Sequence, residues 1–163
     1  MKQFKTIITL SAIAAALLMT TTLAAQPKAI GLRLGFTGAE LSYEHFAGSP
    51  SFLEAELGVD WLMPRPHFKG TAMYNYVFLQ PGWTLRGDWS MYAGGGLSIG
   101  AGDYFMMSVP IQLGLEFRFW FPLQLAVDLR PHFGFITRGE GGIRFYNEGM
   151  MGFLPSISAR YFF

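Results

Sequence analysis

Apolar and polar side chains alternate one by one along the last ten residues, Leu154-Pro-Ser-Ile-Ser-Ala-Arg-Tyr-Phe-Phe163. Ile157, Ala159, Tyr161 and Phe163 fall on one face and Ser156, Ser158 and Arg160 on the other, the period of a β-strand between unlike surroundings. The same period recurs upstream. Ala29 to Phe36 sets Ile30, Leu32 and Leu34 against Gly31, Arg33 and Gly35, and Glu40 to Phe46 sets Leu41 and Tyr43 against Glu40, Ser42 and Glu44. Phe52 to Leu62 alternates most regularly, with Leu53, Ala55, Leu57, Val59 and Trp61 opposite Glu54, Glu56, Gly58 and Asp60. Thr71 to Leu79, Trp89 to Gly100, Val109 to Phe121 and Leu123 to Ile136 complete a set of eight predicted strands. Pro64-Arg-Pro66, Pro81-Gly82, Arg86-Gly87-Asp88 and the glycine-rich Thr137 to Gly149 separate them, as turn chemistry requires.

Eight alternating strands with no helical pattern between them predict an all-β, eight-stranded, antiparallel up-and-down β-barrel. The two faces decide its surroundings. The apolar face carries large side chains in every strand, with Trp, Tyr and Phe towards strand ends, which suits a lipid-facing band between aromatic girdles. The polar face mixes both charge signs with glycine and serine, which suits the narrow interior of a barrel of this size. The barrel is therefore expected to be transmembrane, with both termini on one side and the odd-numbered connections on the other.

The N-terminus changes the picture further. Lys2 and Lys5 precede an apolar run from Ile7 to Met19, and small residues end near Ala24 or Ala25. That is the pattern of a secretory signal peptide, predicted to cover residues 1–25 and too short to span a bilayer as a helix. The barrel domain is then 26–163, exported to the outer membrane. Removing Lys2 and Lys5 leaves ten basic residues against eleven acidic ones, so bulk charge points to no nucleic-acid partner. Cysteine is absent, which excludes disulfides and thiol chemistry. Only Lys28 and Lys69 remain beyond the signal peptide, although lysine is a usual covering of water-exposed surfaces.

The signal peptide, the eight strands and the terminal Tyr161-Phe162-Phe163 resemble the small OmpX-type and OmpA-type barrels of Gram-negative outer membranes. Gly114-Leu-Glu-Phe-Arg-Phe119 and Pro122-Leu-Gln-Leu-Ala-Val-Asp-Leu-Arg-Pro131 are similar to strands six and seven of small outer-membrane proteins of the Bacteroidetes. The resemblance implies a monomer in contact with outer-membrane lipids. It also implies Tyr161 and Phe163 as the C-terminal signal read by the assembly machinery. The short connection at Thr37-Gly38 departs from barrels with long outer loops and weakens an adhesin reading. Such families include anchors, adhesins and lipid-modifying enzymes, so the fold alone assigns no function.

Catalytic chemistry finds little support. Outer-membrane lipid A deacylases place serine two residues after histidine, whereas Gly134 follows His132 and Lys69 follows His67 at that spacing. Asp128 and His132 share a face but are about 13 Å apart along an extended strand. His132 reads as a polar lining residue, His45 as a residue near a strand end, and His67 as a residue of a connection. Gly94-Gly95-Gly96 has the wrong spacing for a phosphate loop and reads as room for a bulky neighbour such as Tyr92 or Trp120. No His/Asp cluster has metal-ligand spacing, and no cofactor is expected. The expected site is instead an interior ion-pair network of Arg33, Glu54, Glu56, Asp60, Glu116, Arg118, Asp128, Arg130 and Arg160, because unpaired charges in a closed barrel are costly. Across the Pro122 connection, the register that opposes Arg118 to Asp128 and Glu116 to Arg130 avoids setting Glu116 against Asp128. The functional expectation is a non-enzymatic barrel with a structural or surface-interaction role. Its loops would be Pro64 to Gly70, Gly102 to Ser108 and Thr137 to Gly149. The alternatives are a lipid A deacylase or acyltransferase and a narrow, porin-like pore.

Overall fold

The computed structural model describes residues 27–48, 50–61, 67–138 and 142–163. The predicted signal peptide, Pro64-Arg-Pro66, and the centre of the Thr137 to Gly149 connection lie outside them. The described residues form strands β1 (Lys28–Leu34), β2 (Gly38–Phe46), β3 (Ser51–Asp60), β4 (His67–Leu79) and β5 (Asp88–Ala101). They continue with β6 (Phe105–Arg118), β7 (Leu123–Leu129), β8 (His132–Arg138), β9 (Gly142–Phe145), a 3-10 helix (Asn147–Phe153) and β10 (Ser156–Phe162). All pairings are antiparallel between neighbours, and β1 pairs with β10 to close the sheet. The result is an eight-stranded up-and-down β-barrel. Closure through β1 and β10 removes the sheet edges along most of the barrel wall, and among the described residues β9 pairs on one side only, with β8.

Ten strands make eight staves because two staves are interrupted. β7 and β8 pair with β6 in one continuous register, Leu113 with Leu129 and Pro110 with His132. Between them stands Arg130-Pro131, where proline cannot donate to the ladder. The last stave is broken at the same height by the 3-10 helix, whose Gly152 carbonyl accepts the Arg130 amide at 2.7 Å. Lys28 and Phe162 mark the proximal rim, and the connections 35–37 and 102–104 lie at the distal rim.

Strand boundaries differ from expectation mainly at the distal rim. β4 begins at His67, so four of the seven residues of the expected Pro64 to Gly70 loop are strand. β6 begins at Phe105, leaving only 102–104 of the expected Gly102 to Ser108 loop. Alternation fails there because the interior itself turns apolar: Met106 and Ile136 point inward and are fully buried. The strand-six prediction also ran past Arg118. Phe119 to Pro122 form the turn, closed by the Phe119 amide on the Leu123 carbonyl at 3.0 Å, and Trp120 is exposed rather than interior.

That turn overturns the expected register. Arg118 faces Gln124, Glu116 faces Ala126 and Gly114 faces Asp128. Neither Arg118 with Asp128 nor Glu116 with Arg130 is paired. In a barrel this narrow, long inward side chains converge on the axis. They find partners across the lumen, so adjacent strands need not align opposite charges.

Candidate functional site

Side-chain polarity is inverted relative to a water-soluble barrel. On β3, Leu57 is 69% exposed, while its neighbours Glu54 and Glu56 are 2% and 3% exposed. Leu32 and Ile157 on the seam strands are 58% and 61% exposed, while Arg160 is 1% exposed. Around the wall, Leu41, Leu97, Ile99, Ile111 and Val127 continue this outward apolar belt. Outward aromatics border it at both rims. Tyr74, Tyr76, Trp83, Trp120 and Tyr161 lie towards the proximal rim, and Phe36, Trp61, Phe68, Phe105 and Phe145 towards the distal one.

The interior is layered. Its middle holds the charges. Arg130 contacts Glu56 and Glu54, the latter at 3.2 Å, and approaches Glu40 at 3.6 Å. Arg33 pairs with Glu40 at 2.8 Å and Asp128 at 2.6 Å, and Arg160 with Glu44 at 2.7 Å and with Glu54. Lys69 meets Glu40 at 2.9 Å. Asn75 and Gln124 add amide donors, the first to Glu54 at 3.1 Å and the second to Glu44 and Glu116 at 2.5 and 2.8 Å. Buried carboxylates held by several donors at once are the arrangement that offsets their desolvation.

Aromatic layers close the interior on both sides of the charges. Towards the proximal rim, Phe52 packs on Phe46 and Tyr92 at 5.6 and 5.2 Å, and Phe46 on Phe162 at 5.9 Å. The Arg118 guanidinium lies over Phe46 and Phe162, 4.6 and 4.4 Å from their centroids, while holding Glu116 at 3.2 Å. Tyr92 fits because Gly114 faces it: a Cβ there would lie 2.3 Å from the ring. The expectation that Gly94 to Gly96 make room for Tyr92 or Trp120 is thus misplaced. A Cβ on Gly94 would meet Asn75, and one on Gly96 would meet Met73. Towards the distal rim, Tyr104, Met106, Ile136 and Tyr146 form a buried apolar cluster, and His67 stacks on Tyr104 at 4.6 Å. Tyr146 donates to Asp60 Oδ2 at 2.7 Å.

Eight of the nine expected interior charges are buried and Arg118 is partly exposed at the proximal rim, and the nine do not act as one unit. Asp60 serves the distal layer through Tyr146, and Arg118 with Glu116 serves the proximal one. Glu40, Glu44, Lys69, Asn75 and Gln124 also join the network, which was expected without them. Glu40 and Glu44 share the polar face of β2, so alternation alone marks them, whereas Lys69 fell in a predicted loop. Among histidines, His132 Nδ1 lies 3.2 Å from Ser108 Oγ inside the lumen, with both residues 2% exposed. His45 stacks on Tyr43 at 6.5 Å near the proximal rim. No group of metal-ligating side chains occurs among the described residues. The chain matches no family model, no curated protein and no solved structure.

Proposed function

We propose that the chain is an outer-membrane β-barrel without catalytic function, seated in lipid by its outer face and acting through structure or surface interaction. One observation carries the reading: a continuous apolar exterior around a charged, ion-paired interior. In water this arrangement wastes the hydrophobic effect twice, exposing large apolar residues and burying charge. In a bilayer the first cost disappears, because the belt meets hydrocarbon, and the second is offset by the ion pairs inside. The likeness to OmpX-type and OmpA-type barrels, carried by the last strand and the N-terminal pattern, agrees with this placement. Outer-membrane lipids are then its surroundings, and the assembly machinery is its partner during biogenesis, reading Tyr161 and Phe163. The barrel acts as a monomer, with its distal connections as the surface for interaction.

The layered interior weighs against a pore, since aromatic side chains pack across the lumen on both sides of the charges. It weighs equally against lipid modification. The one close hydroxyl–imidazole contact described above, Ser108 with His132, is enclosed where no acyl chain in the bilayer reaches it. The deciding experiment compares lipid A by mass spectrometry from cells with and without the protein. Unchanged acylation is expected; a shift of one acyl chain would replace this reading with a lipid-modifying enzyme.

A further inference from the structure

Most neighbouring strands are joined by short connections, but β1 and β10 meet only when the sheet closes. Two arginines at this seam reach across it in opposite directions. Arg33 stands on β1. Its Nη2 passes over β10, hydrogen-bonding Ser156 Oγ at 2.5 Å, and reaches Asp128 Oδ1 on β7 at 2.6 Å. Arg160 stands on β10 and passes over β1. Its Nε donates to Ser42 Oγ on β2 at 2.9 Å, Nη1 meets Glu44 Oε1 at 2.7 Å, and Nη2 meets Glu54 on β3. Gly31 is the β1 residue opposite Arg160, and a Cβ there would lie 2.5 Å from Arg160 Cα and 2.0 Å from the Ala159 carbonyl oxygen. The missing side chain leaves β1 open where the Arg160 arm crosses it.

We propose that these crossed arginines form a closure latch, a device that rewards zipping of β1 to β10 in one register only. Among the contacts of the described residues, those that do not cross the seam are Glu40 on the neighbouring β2, 2.8 Å from Arg33, and Ser158 on its own strand, 2.9 Å from Arg160. Closure supplies Asp128, Glu44 and Glu54. A slip of two residues, the smallest that keeps each face, shifts a strand by about 7 Å and takes both guanidinium groups out of reach of these carboxylates. Backbone bonding alone distinguishes the two registers weakly, because a slip keeps the ladder and loses only pairs at its ends. The charges do so strongly.

The absence of cysteine makes the latch testable by crosslinking in the full-length chain refolded in detergent micelles. Ile30→Cys with Tyr161→Cys, outward partners at the seam, reports closure. Leu41→Cys with Leu57→Cys, outward partners on β2 and β3, reports hairpin formation. Arg33→Gln and Arg160→Gln should each lower the ratio of crosslinked to uncrosslinked seam by about a hundredfold or more, the scale of a broken buried pair, and leave the hairpin crosslink unchanged. Glu116→Gln, whose arginine partner lies on the same strand, should leave both crosslinks intact. Exchanging Arg33→Asp with Asp128→Arg should restore the seam crosslink relative to Arg33→Gln. Seam and hairpin crosslinks falling together, the seam crosslink surviving either arginine change, or no recovery on exchange would overturn the latch.

Discussion

Arg130 is the residue whose environment separates a packed interior from a wet one. It is 1% exposed and meets Glu54, Glu56 and Glu40 at once. Arg130→Leu leaves these carboxylates short of a cation, and breaking such a buried pair costs about 3–5 kcal/mol. Arg144→Leu, which removes a half-exposed pair with Glu148, should cost about 0–1 kcal/mol. Urea unfolding of both variants checks the contrast, and a neutral Arg130→Leu would mean a water-filled lumen. The sequence made Arg130 legible as an inward charge with the β3 carboxylates among its partners, but the expected register also set it against Glu116, which the structure does not. Periodicity of two tells which face a side chain occupies. It does not tell which strand on the far wall will meet it, because that depends on how far each strand is staggered around the barrel. Glu56 and Arg130 were therefore both in the expected network, while the expected strand register pointed Arg130 at Glu116.

At the scale of elements, the closing strand was the most legible part of the chain. β10 has the alternation expected of it, and Phe163 extends its pairing: the Phe163 amide donates to the Lys28 carbonyl and the Lys28 amide to the Phe163 carbonyl, both at 2.8 Å. Deleting Phe163 removes these two seam bonds, about 1–3 kcal/mol between them at ordinary net values. It also shortens the segment expected to be read during assembly. The heat-modifiable folded form in membranes should fall, and an unchanged folded yield would count against the role given to this strand. Elements near the distal rim were less legible. Phe105, Met106 and Met107 lack alternation because Met106 enters an apolar interior layer while Phe105 and Met107 face out, so all three are apolar for different reasons. The 3-10 helix in the last stave was missed as well. Its Asn-Glu-Gly-Met-Met-Gly-Phe sequence carries the glycine and charge of a loop, and only its place beside the Arg130-Pro131 break orders it.

For the whole molecule, the sequence pattern was enough for the closed eight-stranded barrel, because every stave repeats the same in–out code and none is long enough to be anything else. The layering of the lumen, aromatic then charged then aromatic, was not legible. It arises from the height at which each inward residue falls, which the strand registers fix and the code does not contain. The central claim is that the apolar face meets hydrocarbon and the polar face meets itself. Single spin labels attached at Leu53→Cys, Ala55→Cys and Leu57→Cys, on the outward face of β3, test it directly in lipid vesicles. The account predicts that all three labels collide freely with dissolved oxygen, which concentrates in hydrocarbon, and hardly at all with a water-soluble nickel complex. Labels at these positions that are relaxed strongly by the nickel complex would show a wet exterior and contradict it.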